Sequence, residues 1–165
     1  MSMNIRIRGS LRPNENRVEK IPLSLLILSL LSIGAINGKT MLQKQVFLSL
    51  NEVFSKDEIA DGLFVPDRYG PYSRLVVDIA DYLKKEGLLK IVPKGEGKSR
   101  YVITPKGSEK VQEMVRSKEF LIKKMELLRD KKSDWDEWTS TGVKIYIYRK
   151  YPEFATRTEV PELLW

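Results

Sequence analysis

The sequence predicts an α+β fold that is mostly helical, and two patterns predict it. Apolar residues recur at helical spacing in four segments, residues 21–36, 41–54, 72–86 and 105–130. Two strands are expected at 88–92 and 100–104, joined by a loose basic turn that contains glycine at 93–99. A helix followed by such a hairpin is typical of the second half of a winged helix-turn-helix core. We therefore predict a winged-helix domain over residues 21–105 and a long C-terminal helical extension over 106–165.

The charge of the chain favours an acidic partner, and its composition excludes several kinds of active site. The formal net charge of +7 favours nucleic acid first, ahead of an anionic membrane or an acidic protein, although it can also serve solubility alone. The chain contains no Cys and no His, which excludes disulfides, thiol nucleophiles, Ser-His-Asp triads and nearly all zinc sites. No group of carboxylates has a recognisable metal-binding spacing. We therefore expect no enzyme activity, no cofactor and no metal.

Residues 1–20 predict a basic flexible arm outside the winged-helix domain. Arg6 and Arg8 lie in a short alternating stretch, and Arg12 lies in a stretch without periodicity. These arginines are candidate contacts to a phosphate backbone. The alternative is a frayed terminus without a binding role.

The run at 21–36 is the most apolar part of the chain and predicts a helix that is buried on all sides. The basic segment ahead of it imitates a signal peptide, but that segment is long and contains acidic residues. The run is also shorter than the roughly 20 residues that cross a bilayer. We therefore expect a cytoplasmic protein that makes no contact with a membrane.

The segment from Arg68 to Ser73 predicts a tight corner before the third helix. Gly70 supplies backbone freedom, and Pro71 is expected in the first turn of the helix, where no hydrogen-bond donor is lost. The apolar spacing of the third helix is then expected to run from Tyr72 to Glu86. For the second helix, Thr40 is the candidate N-cap.

The extension after the hairpin predicts a helical surface that can carry a dimer contact. The helix over 105–130 is about 35 Å long at 1.5 Å per residue. Its apolar face is expected to pack on a second copy or, equally, on the first helix of its own chain. Residues 131–141 are expected to form a polar linker. Residues 143–151 fit either a strand or a helix, and we favour the helix.

Three motifs resemble those of a known group of proteins. They are Met-Leu-Gln-Lys at 41–44, Arg-Tyr-Gly-Pro-Tyr-Ser at 68–73 and Tyr-Val-Ile-Thr-Pro-Lys-Gly at 101–107, and residues 64–66, 83–89 and 148–154 also match. In this order they resemble the YwgA-like winged-helix family, which is related to the Panacea domain of SocA-type antitoxins. The resemblance covers about residues 40–154. It implies a winged-helix fold and a regulatory role near toxin–antitoxin or defence systems, and it supplies no catalytic residues.

A DNA-binding winged helix uses its third helix and its wing, so the corner and the hairpin hold the candidate contacts. The candidate DNA-binding residues are Arg68, Tyr69, Tyr72, Ser73, Arg74, Lys90, Lys94, Lys98 and Arg100. Asp78 and Asp81 lie off the apolar stripe of the third helix, where they would oppose phosphates. The positive field is therefore expected on the wing and the arm.

These residues predict a homodimeric transcriptional regulator that contacts double-stranded DNA through the corner of the third helix and the basic wing. The alternative is an antitoxin-like or adaptor-like module that binds a toxin or another regulator and does not bind DNA. In that alternative the corner and the acidic third helix dock a basic protein.

Overall fold

The computed structural model describes residues 20–155, which form five α-helices, two small antiparallel sheets and a short 3-10 helix. The elements are α1 (Leu23–Ile33), β1 (Ile36–Asn37), α2 (Lys39–Glu52), β2 (Val65–Asp67), β3 (Gly70–Tyr72), α3 (Arg74–Lys85), β4 (Leu89–Gly95), β5 (Lys98–Ile103), α4 (Pro105–Ser117), α5 (Phe120–Lys150) and the 3-10 helix Pro152–Ala155. The α+β class and the predominance of helix are confirmed. The arm contacts Arg6, Arg8 and Arg12 lie outside the described residues. No helix within residues 20–155 combines the length and the apolar character that crossing a membrane requires.

Helix α1 lies at the centre of the core and is buried on nearly all sides. Leu26, Ile27, Leu28 and Leu30 each expose at most 1% of their surface, and α1 contacts α3, α4, α5 and strand β5. The predicted burial of the first helix is confirmed. The helix is shorter than predicted, because the last residue of the predicted run, Ile36, belongs to strand β1.

The three-stranded sheet has the order β1-β5-β4, with antiparallel neighbours throughout. Tyr101 lies between Ile36 and Ile91, and the next residue along the same strand, Arg100, lies beside Asn37. Successive side chains of a strand point to opposite faces of the sheet. Tyr101 and its neighbours therefore face the core, whereas Arg100 and Asn37 share the opposite face.

The β4–β5 hairpin closes in a tight turn at Glu96 and Gly97. Both residues have positive φ, 53° and 74°, as a two-residue type I′ turn requires. The strands therefore reach Gly95 and resume at Lys98, and the loose turn predicted at 93–99 is wrong. Proline is tolerated on β4 because this strand lies at the edge of the sheet.

Helix α2 follows β1 directly. Gly38 occupies its N-cap position with φ of 93°, and its N–H donates to the carbonyl of Ser99 at 2.9 Å. This positive φ favours glycine over residues that carry a Cβ. The predicted N-cap role of Thr40 is wrong, because Thr40 already lies in the first turn of the helix.

The corner between α2 and α3 is a second, shorter hairpin. Strands β2 and β3 pair with Pro71 opposite Pro66. The predicted place of Pro71 in the first turn of the third helix is therefore wrong. Helix α3 begins at Arg74, because the hydroxyl of Ser73 accepts a hydrogen bond from the N–H of Val76 at 3.2 Å and caps the helix.

The continuous helix predicted over 105–130 is interrupted at Lys118, which has an extended backbone. Helices α4 and α5 lie on either side of this interruption, and both contact α1 of the same chain. The apolar face of the extension is therefore covered, at least in part, by its own domain.

The segment 131–141, predicted as a polar linker, belongs to α5. The prediction is wrong because Trp135 and Lys132 are both buried there, at 1% and 0% exposure, and therefore extend the inner face of the helix. The helix favoured at 143–151 is confirmed up to Lys150.

Helix α5 contains one break, at Thr139, whose φ of 65° and ψ of 174° are not helical. A β-branched residue at positive φ is strained, whereas glycine adopts this region freely. We expect Thr139→Gly to raise the free energy of unfolding by about 1 kcal/mol. Ser133→Gly, at an exposed position within the uninterrupted helix, should lower it by about 0.5 kcal/mol. Urea denaturation followed by circular dichroism measures both, and a loss of stability in Thr139→Gly would contradict the strain.

Candidate nucleic-acid interface and adjoining pocket

The cationic side chains of the β4–β5 hairpin gather on one face of the three-stranded sheet. Lys98 lies two residues before Arg100 and therefore points to the same side. Lys90 pairs with Val102, which lies two residues after Arg100 and shares that side as well. The face opposite the core thus carries cations from both strands of the hairpin.

Asn37 connects the third strand to these cations. Its side-chain oxygen Oδ1 accepts hydrogen bonds from Nε of Arg100 at 2.9 Å and from Nζ of Lys94 at 3.3 Å. We call the surface formed by Lys90, Lys94, Lys98, Arg100 and Asn37 the wing face.

The charges of the wing face are available to an external anion. Within residues 20–155, the ion pairs that the structure contains involve none of its four cations. Lys90, Lys94 and Lys98 are exposed, and Arg100 is half-buried. One acidic residue, Glu96, lies in the hairpin turn. The surface therefore presents four positive charges against one negative charge.

The corner presents Arg68 and Tyr69 at the turn of the β2–β3 hairpin. Tyr69 is 48% exposed, and Nζ of Lys144 lies 5.6 Å from the centre of its ring. The carbonyl of Arg68 accepts a hydrogen bond from the hydroxyl of Tyr148 at 3.4 Å. Because Lys144 and Tyr148 belong to α5, these contacts attach the corner to the C-terminal extension.

Ser73 has no surface through which its side chain could reach a phosphate, since it is fully buried. Its N–H donates to Oε1 of Gln43 at 2.9 Å, and its carbonyl accepts from Nε2 of Gln43 at 3.0 Å. Its hydroxyl donates to the carbonyl of Gly62 and caps α3. Ser73 therefore fixes the start of α3 and the position of the corner.

Arg74 is the first residue of α3 and is largely exposed. Its Nε donates to the carboxylate of Asp78 at 3.1 Å, and this hydrogen bond raises the pKa of Arg74 above its ordinary value. Exposed pairs of this kind contribute little to stability because solvent screens them. Arg74 can therefore exchange Asp78 for another anion, although Asp78 competes with a phosphate at this end of the helix.

A pocket of about 500 Å³ lies between the corner and the core-facing side of the hairpin. Tyr69 and Tyr72 of the corner line it together with Tyr101 and Ile91 of the sheet. Because Tyr101 and Ile91 alternate with the wing-face residues, the pocket and the wing face lie on opposite sides of the sheet. The sequence-predicted contacts are thus divided between two surfaces. We call the concave surface the tyrosine pocket.

Two carboxylates belong to the tyrosine pocket, and the sequence analysis did not place either of them in a cavity. Asp67, at the end of β2, and Asp81, on α3, both line it. Burial raises the pKa of the Tyr101 phenol, and the charge of Asp81 adds to this rise. The sequence had no local signal for the pocket, because its lining comes from separate elements of the fold.

Two buried lysines were also missed, and both join α5 to the rest of the fold. Nζ of Lys44 donates to the hydroxyl and carbonyl of Ser140 at 2.7 and 3.1 Å. Burial, helped by the charge of Lys144, lowers the pKa of Lys44 to about 8. Nζ of Lys132 donates to the carbonyl of Ala35 at 3.5 Å and to Asp136 of its own helix at 2.7 Å. These contacts fix the position of α5, the helix that contacts the corner, and their role is therefore structural.

Comparison of the chain with models of known protein families, with curated proteins and with solved structures finds no match. Within residues 20–155, no three acidic side chains come close enough together to hold a metal ion. The candidate functional surfaces among the described residues are the wing face, the corner and the tyrosine pocket.

Proposed function

We propose that this chain is a winged-helix protein that binds double-stranded DNA through the wing face and acts in transcriptional regulation. The order α1-β1-α2-α3-β4-β5 and the sheet order β1-β5-β4 support the winged-helix assignment. In this assignment the β2–β3 hairpin is an insertion between the two helices of the helix-turn-helix. The resemblance to the YwgA-like family supports the same fold and a regulatory role.

The observation that carries the proposal is the set of four cations on one exposed face without carboxylate partners. Phosphates of duplex DNA attract such a surface, and each cation that neutralises a phosphate releases a counterion. Asn37 holds Arg100 and Lys94 in place, so these two side chains lose less conformational freedom on binding. The resulting contact follows the phosphate backbone and tolerates many sequences.

Helix α3 has a supporting part in this proposal. Its exposed side chains include Asp78 and Asp81, which would oppose phosphates in the major groove. Tyr69 and Tyr72 line the tyrosine pocket and not the wing face, and Arg68 lies beside Tyr69 in the same hairpin turn. We therefore assign these three residues a secondary part in DNA contact. The wing face therefore supplies most of the affinity.

Charge reversal on the wing face tests the proposal. We expect Lys94→Glu combined with Lys98→Glu to raise the Kd for a fluorescent duplex of about 20 base pairs at least tenfold at roughly 100 mM salt. The physical reason is the loss of two phosphate contacts and the addition of two repulsive charges. Fluorescence anisotropy measures the affinity.

A matched control separates the wing face from net charge. Lys110→Glu combined with Lys123→Glu changes the net charge equally at exposed positions of α4 and α5. This control should retain most of the affinity. Equal losses in the two double variants would show attraction by net charge alone, and unchanged affinity in the wing variant would exclude the wing contact.

A second candidate function is a protein-interaction module of the antitoxin or adaptor kind. The observation that favours it is an exposed apolar cluster around the β2–β3 hairpin, where Leu63, Val65 and Tyr69 expose 64%, 54% and 48% of their surfaces. Such clusters are common where proteins bind each other. Copurification of a stoichiometric protein from native extract, together with no gel shift on duplex DNA, would select this function over the first.

A further inference from the structure

We propose that the tyrosine pocket binds a small organic cation, an amine or guanidine carried on an aromatic or aliphatic body. This site is independent of DNA binding by the wing face, because the two surfaces lie on opposite sides of the sheet. The pocket is formed by the start of α2, the β2–β3 hairpin, α3 and the core-facing side of β4–β5.

The size and the walls of the pocket suit the body of such a ligand. Its volume of about 500 Å³ lies within the range of roughly 300–1,000 Å³ that is common for small-molecule sites. Leu42, Val76, Ala80 and Ile91 supply apolar wall, and Val76 and Ala80 are buried in the fold. The α3 wall is therefore anchored in the core and does not have to form when the ligand arrives.

The charges of the pocket favour a cation. Asp67 and Asp81 line it, and neither takes part in the ion pairs found among residues 20–155. Lys39 is the one opposing charge on its lining. The pocket thus carries two carboxylates against one ammonium, and its net charge repels phosphates and carboxylates.

The tyrosines add a second attraction for a cation. Tyr69, Tyr72 and Tyr101 all line the pocket, and the face of an aromatic ring attracts an ammonium or guanidinium group. Tyr101 is buried, and its phenolic hydroxyl can donate a hydrogen bond to a ligand. Apolar walls, aromatic faces and two free carboxylates together describe a site for an amphipathic cation.

The test uses the full chain, labelled with ¹⁵N, and three probes of similar shape and different charge. Phenethylamine should shift the amide signals of Val76, Ala80 and Ile91 in a saturable way. The neutral 2-phenylethanol should bind about fivefold more weakly, the effect of one partly exposed charge pair. The anionic 3-phenylpropionate should produce no saturable shift.

Variants connect the binding to the proposed charges. Asp81→Asn should weaken phenethylamine binding about fivefold and leave 2-phenylethanol unchanged, because only the ion pair is lost. Lys39→Met should strengthen phenethylamine binding, since it removes the opposing charge. Asp134→Asn, at an exposed position of α5, should change neither.

Three outcomes would overturn the proposal. The first is the absence of a saturable shift around the pocket with phenethylamine. The second is equal binding of phenethylamine and 2-phenylethanol in the wild type and in Asp81→Asn, which would leave an apolar cavity without charge selection. The third is a saturable shift with 3-phenylpropionate as strong as that with phenethylamine, which would show that the pocket does not select a cation.

Discussion

Gly107→Ala is expected to lower the free energy of unfolding by about 3 kcal/mol, the upper part of the range for overpacking a rigid site. Gly107 lies in the first turn of α4, where its N–H donates to the hydroxyl of Thr104 at 3.1 Å. A Cβ at this position would collide with the carbonyl oxygen of Leu88 and lie 2.8 Å from Cγ1 of Ile103. Both neighbours belong to the base of the β4–β5 hairpin, and a backbone carbonyl cannot rotate away as a flexible side chain can.

Because α4 lies so close to the base of the β4–β5 hairpin, Gly107→Ala should disturb other hydrogen bonds between them as well. The hydroxyl of Thr104 donates to the carbonyl of Gly87 at 2.7 Å, and its N–H donates to the carbonyl of Leu88 at 3.2 Å. Moving α4 away from the hairpin would strain these bonds. Urea denaturation measures the effect, with Gly34→Ala as control, because a Cβ there meets only Nζ of Lys132 at 3.6 Å. Stabilities within about 0.5 kcal/mol of each other for the two variants would contradict the account.

Gln43→Leu is expected to lower the free energy of unfolding by roughly 3 kcal/mol. Leucine is similar in size, but it leaves the N–H of Ser73 without a partner, and it leaves the carbonyl of Ser73 with only the 3.4 Å hydrogen bond from the N–H of Val77, in a place where water cannot reach them. Each buried backbone group that loses its partner costs about 1–3 kcal/mol. Hydrogen exchange should accelerate at the start of α3, because the pair holds that end of the helix in position.

Gln45→Leu provides a matched control on the same helix. Nε2 of Gln45 donates to Asp136 at 2.7 Å, while its Oε1 is buried without a hydrogen-bond partner. Leucine removes one satisfied and one unsatisfied group, and the half-exposed Asp136 can bind water instead. We therefore expect a loss of about 1 kcal/mol or less. Equal losses of stability for Gln43→Leu and Gln45→Leu would show that the hydrogen bonds between Gln43 and Ser73 contribute no more than an ordinary side-chain contact.

The parts of the fold that the sequence predicted are those with a local pattern. Helix α1 is apolar all round and is buried all round, and the β4–β5 hairpin follows from alternation on either side of Gly95 and Gly97. The pair formed by Gln43 and Ser73 could not be predicted, because the two residues are far apart in the chain and neither has a periodic signal. The motifs at 41–44 and 68–73 are therefore in contact in the fold, although nothing in their sequences indicates this contact.

Two predictions were wrong because the folded chain accommodates a residue that the local pattern disfavours. In the first case this residue is a charged lysine, and in the second it is a proline. Residues 131–141 were expected to form a polar linker, yet the ammonium of Lys132 donates to the carbonyl of Ala35 and to Asp136, which allows it to be buried within the fold. Pro71 suggested a helix start, yet opposite Pro66 it fits a short strand that needs few hydrogen bonds. The contact between Lys132 and the carbonyl of Ala35 joins residues far apart in the chain, and the pairing of Pro71 with Pro66 has no periodic signal, so neither was visible in the pattern.

The candidate site, too, was only partly predictable from local sequence patterns. Each cation of the wing face was predicted, because a basic hairpin is visible in the sequence. The separation of the wing face from the corner depends on the register that sets Ile91 beside Tyr101, and a shift of one residue would exchange the two faces. The tyrosine pocket needs four elements to meet and had no local signal.

The salt dependence of DNA binding tests the wing face most directly. If its four cations each neutralise a phosphate, the plot of log Kd against log salt concentration should have a slope of about 3.6 for duplex DNA, or about 0.9 for each contact. Lys90→Gln and Lys98→Gln should each lower the slope by about 0.9, whereas Lys123→Gln should leave it unchanged. An unchanged slope in both wing variants, or no binding to duplex DNA at low salt, would contradict the account.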